Sequence, residues 1–411
     1  MTLFLHAHAT HPDPHMAVAL AATQVEAQRG QAGCVREPTL GWVYLTDHFA
    51  TAAEGVLADV RRRWPGVAWV GAVGVGIAAN GVEYMDEPAV ALMLGDVPRE
   101  HFRLFSGVQP LGGTADGFDA ATAQVHVDPT TADLGELIGE LAGRTATGYV
   151  FGGLASARTD DGEGLGRCLH IADAVFDGGL SGVAFSAEVA LVSRVTQGCQ
   201  PVGPVRHVTE ADRNVIVTLD GEPALECLLR DLAVEGDDPR RALPKLRQTL
   251  VGLSDPFDQA LTRPGQFGVD TRVRHLVGLD PGRQAIAIGD IAPQGTQVAF
   301  CTRHVEAARR DLVRICSEIR EEIEPEALSL ETALALQGRS AEHQPHPARR
   351  IAGAVYVSCA GRGGPHFGAP SAELAIVRHA LGDVPLVGFF ANGEIARHHV
   401  YGYTGVLTVF T

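Results

Sequence analysis

Lysine is almost missing from this 411-residue chain: Lys245 is the only one, so nearly all of the positive charge comes from arginine. A basic surplus is missing too, since 33 Lys and Arg face 49 Asp and Glu and the formal net charge is −16. A protein that binds nucleic acid or an anionic membrane surface needs a basic face. The composition therefore predicts that neither nucleic acid nor membrane is a partner.

Membrane spans and export signals are also missing from the sequence. No apolar run approaches the roughly 20 residues that cross a bilayer, and no Lys or Arg precedes Arg29, so a signal peptide's charged segment is lacking. The seven cysteines are odd in number and contain no Cys-x-x-Cys pair, which is typical of free thiols in a reducing compartment. We therefore expect a cytoplasmic protein.

A recurring β-α-β-β order is what the sequence does contain. Apolar strand-like runs and one helix-periodic run follow each other in that order in residues 41–97, 123–192 and 354–410. Because a single hydrophobic core stops growing at about 250–300 residues, we expect two domains. The predicted fold is α/β (α+β), with two similar halves of β-α-β-β units whose sheets pack in layers with helices outside.

Two C-terminal segments carry a more specific pattern. Residues 353–363 read GAVYVSCAGRG, which is a strand followed by Cys-x-Gly-Arg, and residues 384–395 read VPLVGFFANGEI, which ends in Gly-Glu-Ile. Together with residues 206–224 and 70–74, these segments resemble the FIST family, named for F-box and intracellular signal-transduction proteins. The resemblance covers nearly the whole chain and implies an N-terminal FIST domain over residues 1–199 and a C-terminal FIST domain over residues 200–411.

The FIST resemblance also implies a function. Members are sensory modules for small ligands, amino acids have been suggested as those ligands, and some members bind haem and sense nitric oxide. Most members attach the module to a signalling output domain. This sequence leaves no segment over for such a domain, so we expect a small-molecule ligand and a separate signalling protein as partners.

A glycine-rich loop is the first candidate site. Cys359, Gly361, Arg362 and Gly363 follow a predicted strand and precede a predicted helix, where backbone N–H groups and the helix N-terminus attract an anion. An arginine there can hold a carboxylate with two parallel hydrogen bonds. The alternative is a structural turn in which Arg362 pairs with an internal acid.

The second candidate site is the segment Asn392-Gly393-Glu394. In the functional interpretation Asn392 and Glu394 face the ligand, and the carboxylate of Glu394 meets a ligand amine. In the structural interpretation Asn-Gly is a two-residue hairpin turn, and Glu394 is a solvated turn acid.

Other classes of function stay open at this level. If Cys359 is a nucleophile with His366 or His398 as its base, the protein is a hydrolase. If a histidine binds haem, the protein is a gas sensor. A pure interaction scaffold is a further alternative. His6, His8, His11 and His15 form a dense cluster, which we interpret as an exposed polar cap. The prediction is a non-enzymatic small-ligand sensor with no catalytic residue, no metal and no cofactor, and with haem as the alternative.

Overall fold

A computed structural model of the protein describes residues 2–112, 117–159, 166–234, 239–254, 271–324 and 351–411. The C-terminal loop that we expect at residues 337–350 lies outside these ranges. Contacts divide the chain into two compact bodies. We call them the repeat body (residues 1–196, 312–400 and 404–411) and the barrel body (residues 197–311 and 401–403).

The first repeat begins with an edge strand and a capped helix. Asp13 accepts hydrogen bonds from the backbone N–H groups of His15 and Met16, and Pro14 is the first helical residue. Both features are typical of a helix start. The elements are β1 (Leu5–Thr10), α1 (Pro14–Arg29), β2 (Leu40–Thr46), α2 (Ala53–Arg63), β3 (Ala68–Gly74), β4 (Ile77–Ala79), β5 (Val82–Tyr84) and β6 (Ala89–Gly95).

The second repeat has the same order of strands but no helix after its edge strand in the described residues. Its elements are β7 (Phe102–Ser106), β8 (Thr122–Val127), α3 (Leu134–Gly143), β9 (Tyr149–Leu154), β10 (His170–Ala172), β11 (Val175–Phe176) and β12 (Leu180–Phe185). The edge strand of the third repeat, β13 (Leu191–Gln197), follows directly.

The barrel body is a closed antiparallel sheet, because its strands pair in a ring that runs from β21 through β15, β16, β20, β19 and β18 back to β21. A closed ring leaves no unpaired strand edge. Apolar residues of this ring and of α4 form one buried core. The elements from here to α6 are β14 (Cys199–Pro201), β15 (Arg206–Asp212), β16 (Val215–Leu219), β17 (Glu222–Pro223), α4 (Ala224–Asp231), α5 (Pro239–Gln248), β18 (Thr249–Ser254), β19 (Arg272–Asp280), β20 (Ala285–Ile288), β21 (Gln297–Arg303) and α6 (Val305–Ile323).

The third repeat completes the repeat body. Its elements are β22 (Gly353–Cys359), α7 (Ala372–Leu381), β23 (Leu386–Ala391), β24 (Glu394–Arg397), β25 (His399–Tyr401) and β26 (Thr404–Phe410). The order of strands and helix matches that of residues 40–95, so the predicted mixed α/β fold and its β-α-β-β units are confirmed. The β-α-β-β unit occurs three times within the repeat body, and the barrel body has a different structure. The protein therefore has a threefold repeat rather than two similar halves.

The three sheets of the repeat body exchange hairpins in a cycle. The strands follow the same order in each sheet. An edge strand comes first, then the last, first and second strands of one repeat's β-α-β-β unit, and then a hairpin from another repeat. Hairpin β10–β11 of the second repeat extends the first sheet, β24–β25 of the third extends the second, and β4–β5 of the first extends the third. The three repeats are therefore tied together by backbone hydrogen bonds, and they fold as one body.

One glycine in each repeat allows the first two parallel strands to approach closely. A Cβ atom on Gly71, Gly152 or Gly388 would lie 1.7, 1.8 or 1.7 Å from the carbonyl oxygen of the residue opposite. The three glycines pair with equivalent positions, since their partners are Val43, Val125 and Tyr356. No other residue type fits there, so a glycine at each of these positions marks the repeat in the sequence.

The inner faces of the three sheets meet in a core of buried rings. Tyr44 of the first sheet stacks on Phe389 of the third, with ring centroids 5.4 Å apart, and lies 5.6 Å from the His126 ring of the second. Gln124 accepts a hydrogen bond from Trp42 and donates one to Tyr44, so the buried polar atoms are largely paired. Of the helices in the described ranges, none has both the length and the apolar character that crossing a membrane requires.

Candidate functional site

The Cys359–Gly363 loop joins β22 to a short 3-10 turn before α7, as the sequence predicts. Arg362 lies inside the protein with no exposed surface, and its Nε and Nη2 atoms donate to Glu373 Oε1 at 2.9 and 2.7 Å. Glu373 lies in the first turn of α7 and also accepts hydrogen bonds from Tyr356 and Ser358. The Arg362 guanidinium lies over the Phe367 ring at 5.2 Å. The loop is thereby fixed to the start of α7.

The charges of this buried pair stabilise each other. Burial lowers the pKa of Arg362, but the charge of Glu373, the hydrogen bonds to it and the charges of Tyr356 and Glu394 together hold the pKa above its ordinary value. Burial and the same carboxylate raise the pKa of Tyr356 well above its ordinary value. Arg362 is therefore a charged residue whose partner is internal.

Asn392 and Gly393 do not form a hairpin turn. They connect β23 of the third sheet to β24, which pairs with β9 in the second sheet, so the chain changes sheets there. The hairpin interpretation is therefore wrong, and so is a solvated Glu394, because that side chain is fully buried. Asn392 itself is exposed. The true Asn-Gly hairpin turn of the chain is Asn80-Gly81, between β4 and β5, where both residues have positive φ.

Glu394 is a buried acid with an elevated pKa. Its Oε2 atom accepts hydrogen bonds from the backbone N–H and the hydroxyl of Thr404 at 3.0 and 2.6 Å. Burial raises the pKa to about 8, although the Thr404 hydrogen bonds, the Arg362 charge and the Cys359 thiol lower it. Oε1 has no hydrogen-bond partner of ordinary geometry among the described residues. Glu394 thus holds a proton more tightly than an ordinary glutamate.

An open cavity of about 550 Å³ adjoins this loop at Gly364. It lies where the carboxyl ends of strands from all three repeats meet, which is where ligands bind in open α/β sheets. None of the six predicted ligand residues is among its lining residues. We call it the charged cavity; it is lined by Val75, Glu83, Met85, Asp86, Glu87, Arg158, Gly364, Pro370 and Ser371.

Glu83 connects the first repeat to the loop and to α7. Its Oε2 atom accepts a hydrogen bond from the Gly364 N–H at 3.0 Å, and its own N–H donates to Ser371 Oγ at 3.0 Å. Burial raises the pKa of Glu83, and the backbone N–H groups of Gly364, Leu374 and Glu373 oppose that shift. A carboxylate at the start of a helix is favourably placed, because the N-terminus carries partial positive charge.

Arg158 supplies the positive charge of the cavity. Its Nε and Nη2 atoms donate to the two carboxylate oxygens of Asp47 at 2.9 Å each, and its Nη1 atom donates to Asp86 at 2.7 Å. The hydrogen bond to Asp47 is the largest of the causes that raise the pKa of Arg158 above its ordinary value. The side chain is 43% exposed, so one face remains open to solvent.

Sequence reasoning missed Glu83 and Arg158 as site residues. Arg158 lies four residues after β9, and Asp47 directly follows β2. Both follow the carboxyl end of a strand in the β-α-β-β pattern, so the pattern that predicts the fold carries the signal that would have found Arg158. Glu83 lies within β5, and this signal does not mark it.

The remaining candidates lie apart from the charged cavity. His8 Nδ1 is 2.5 Å from Tyr84 Oη, and His15 Nδ1 is 2.5 Å from Asp59. Among the described residues, no three His, Cys, Asp or Glu side chains are placed to hold a metal ion together. Burial lowers the pKa of His6 to about 4. The rings of His398 and His399 lie 3.9 Å apart.

Axial ligation by a histidine is the form of haem binding that the sequence leaves open. No histidine lines the charged cavity or a larger cavity of about 880 Å³ in the repeat body. His126 is fully buried among Tyr44, Gln124 and Phe389, and burial lowers its pKa to about 3.

Comparison with known proteins agrees with the resemblance noted in the sequence. The FIST N domain model matches residues 39–222, and the FIST C domain model matches residues 224–397. The uncharacterized protein Rv0628c of Mycobacterium tuberculosis is 31% identical over 411 residues, which cover 98% of this chain and 97% of that protein. The uncharacterized protein Mb0898c of Mycobacterium bovis is 30% identical over 413 residues, with the same coverage.

Proposed function

The chain belongs to the FIST family, a signal-transduction sensory family, and from that premise we propose that it is a non-enzymatic cytoplasmic sensor for a small zwitterionic ligand. The ligand binds in the charged cavity beside the Cys359–Gly364 loop, and the bound state is passed to a separate signalling protein.

One observation carries this proposal: a cavity beside the family's Cys-x-Gly-Arg loop is lined by three different repeats, and the first two supply charges of both signs. Glu83 and Arg158 come from the first and second repeats, and Ser371 from the third. A ligand that contacts all three stabilises their arrangement, which gives the protein a way to report binding.

The charges of the cavity favour a zwitterion over a simple anion. Three carboxylates line it, those of Glu83, Asp86 and Glu87, against the single guanidinium of Arg158. A ligand carboxylate accepts a hydrogen bond from the second N–H of Arg158 Nη1, whose first N–H donates to Asp86, while a ligand amine pairs with the carboxylates. An anion without an amine meets a net negative lining and is repelled.

The predicted loop residues serve this site by positioning it. Arg362 has no exposed surface, so it acts through Glu373 and holds the start of α7, where Pro370 and Ser371 line the cavity. Gly363 leaves room for neighbouring side chains, since a Cβ atom there would lie 2.6 Å from the Phe390 ring. Three further predicted residues support the cavity rather than line it: Cys359, Gly361 and Glu394. The exposed Asn392 does not line the cavity either.

Titration calorimetry with the amino acids, and with matched carboxylic acids that lack the amine, tests the proposal. We expect an amino acid to bind and its amine-free analogue to bind more weakly. Arg158→Ala and Glu83→Gln should each weaken binding roughly tenfold or more, because each removes a charged hydrogen-bond partner. Arg167→Ala is the control, since Arg167 forms an exposed ion pair and does not line the cavity. Equal weakening by all three variants, or no binding of any zwitterion, contradicts the proposal.

A further inference from the structure

The larger cavity of the repeat body lies away from the Cys-x-Gly-Arg loop. It has a volume of about 880 Å³, which is within the range of sites for drug-sized ligands. It is lined by Ala121, Thr122, Thr147, Tyr149, Phe151, Ala187, Val189, Ala190, Leu191, Val192, Ser193, Arg194, Glu322, Ile323, Thr408 and Thr411. We call it the neutral cavity and propose that it is a second binding site, for an uncharged and largely apolar small molecule that carries a hydrogen-bonding oxygen.

The apolar part of the lining comes from three places in the chain. Phe151 projects from β9, Leu191 and Val192 from the start of β13, and Ile323 from the last residue of α6. A ligand that buries apolar surface against these side chains is stabilised by about 25 cal/mol per Å² of that surface.

A chain of hydroxyl groups crosses the cavity wall from one sheet to another. Tyr149 Oη donates to Ser193 Oγ at 2.9 Å, and Ser193 Oγ lies 2.8 Å from Thr408 Oγ1. A hydroxyl has one donor and two acceptor positions, so the pair Ser193 and Thr408 has room for a further hydrogen bond from a ligand. The chain therefore suits a ligand hydroxyl or carbonyl group.

The lining has no surplus of charge. Its two charged side chains are Arg194 and Glu322, which form an ion pair with each other, and Arg194 also pairs with Glu318 at 3.3 Å. A charged ligand would have to displace one of these partners, whereas an uncharged ligand leaves the pair intact. The cavity shares no lining residue with the charged cavity, so the two sites can be changed separately.

Nile red, an uncharged dye whose emission shifts to the blue in apolar surroundings, is the probe for this site on the full chain. We expect saturable, blue-shifted binding that Ala190→Trp and Ala187→Trp weaken roughly tenfold or more, because each fills the cavity from its exposed rim. Ala27→Trp is the matched control, since Ala27 is an exposed alanine of α1 outside the lining. Each variant is first checked for an unchanged melting temperature.

The outcomes separate this site from the charged cavity. Blue-shifted binding that both cavity variants weaken, and that Ala27→Trp and Arg158→Ala leave unchanged, supports the proposal. Binding that is unsaturable, absent, or equally strong in all four variants overturns it. The anionic dye 8-anilinonaphthalene-1-sulfonate gives the charge test, because displacement of Nile red by this anion at similar concentrations contradicts an uncharged ligand class.

Discussion

The two cavities of the repeat body lie at opposite ends of the same strand. β9 begins at Tyr149 in the lining of the neutral cavity, and the chain reaches Arg158 of the charged cavity four residues after β9 ends. The carboxyl end of a parallel strand leads towards a helix N-terminus, whose partial positive charge attracts acids such as Glu83. The amino end of β9 follows the C-terminus of α3, which carries partial negative charge, and the cavity lining there is apolar and rich in hydroxyl groups. The direction of the strands thus decides which chemistry each cavity supports.

The largest effect that we predict lies beneath the charged cavity. Arg362→Ala leaves the Glu373 carboxylate buried without its cation, and we expect the free energy of unfolding to fall by about 3–5 kcal/mol. Arg194→Ala removes the arginine of the neutral cavity, whose ion pairs are partly exposed, and should cost at most about 1 kcal/mol. Urea unfolding of both variants checks this, and equal losses would mean that the two arginines are held alike.

Arg362→Lys tests whether ligand binding at the charged cavity depends on the Arg362–Glu373 pair. An ammonium group is a point charge and cannot reproduce the planar, two-pronged donation to Glu373. We expect a zwitterion that binds wild type to bind Arg362→Lys more weakly, and Arg362→Ala more weakly still. Calorimetry measures this order, and unchanged affinity in both variants would make Arg362 a residue of stability alone.

Gly152→Ala breaks the strand that joins the two cavities. The new Cβ atom would lie 1.8 Å from the Val125 carbonyl oxygen, so β8 and β9 must separate. We expect a loss of about 1–3 kcal/mol in unfolding free energy and weaker binding at both cavities. Gly139→Ala, in α3 with open space around its Cα, should instead stabilise the protein by roughly 0.5–1 kcal/mol. A Gly152→Ala protein as stable as wild type would contradict the close approach of the strands.

The pH dependence of the unfolding free energy tests the buried acid Glu394, which lies near the charged cavity. The folded-state pKa of Glu394 is about 8, against 4.5 for an ordinary glutamate, so the folded state holds the proton more tightly. Stability from this group is present below pH 4.5 and is lost as pH rises towards 8, by at most about 1.4 kcal/mol per pH unit. Urea unfolding from pH 5 to 9 should show this loss in wild type and in Ala190→Trp, but not in Glu394→Gln. The same slope in Glu394→Gln would assign the loss to another group.

Cys359 should give the smallest effect. It is partly exposed, but the charge of Arg362 is already paired with Glu373, so this arginine is not available to activate the thiol. We expect slow alkylation by iodoacetamide at neutral pH, and we expect Cys359→Ser to keep its fold and its ligand binding. Mass-spectrometric mapping after brief alkylation measures the rate. Rapid, selective labelling of Cys359 would favour covalent chemistry and a hydrolase over a sensor.

Much of the local structure follows from the sequence. The helix-periodic run within residues 354–410 forms α7, and Asp13 and Pro14, which are typical of a helix start, begin α1. Apolar periodicity and capping act over a few residues, so a single sequence carries enough information to locate them. The Cys-x-Gly-Arg loop is likewise recognised from its own residues.

Only the tertiary structure decided how these elements combine. The exchange of hairpins between sheets pairs β4 with β23, whose residues are about 310 positions apart in the chain, and no local pattern encodes that pairing. The same holds for Arg362: its residue type predicts a partner acid, but only packing shows that the acid is Glu373 rather than a ligand. The sequence determined the β-α-β-β units and the residues able to carry charge. Long-range strand pairing and burial decided which charges face solvent, because those depend on contacts that the chain makes only once it is folded.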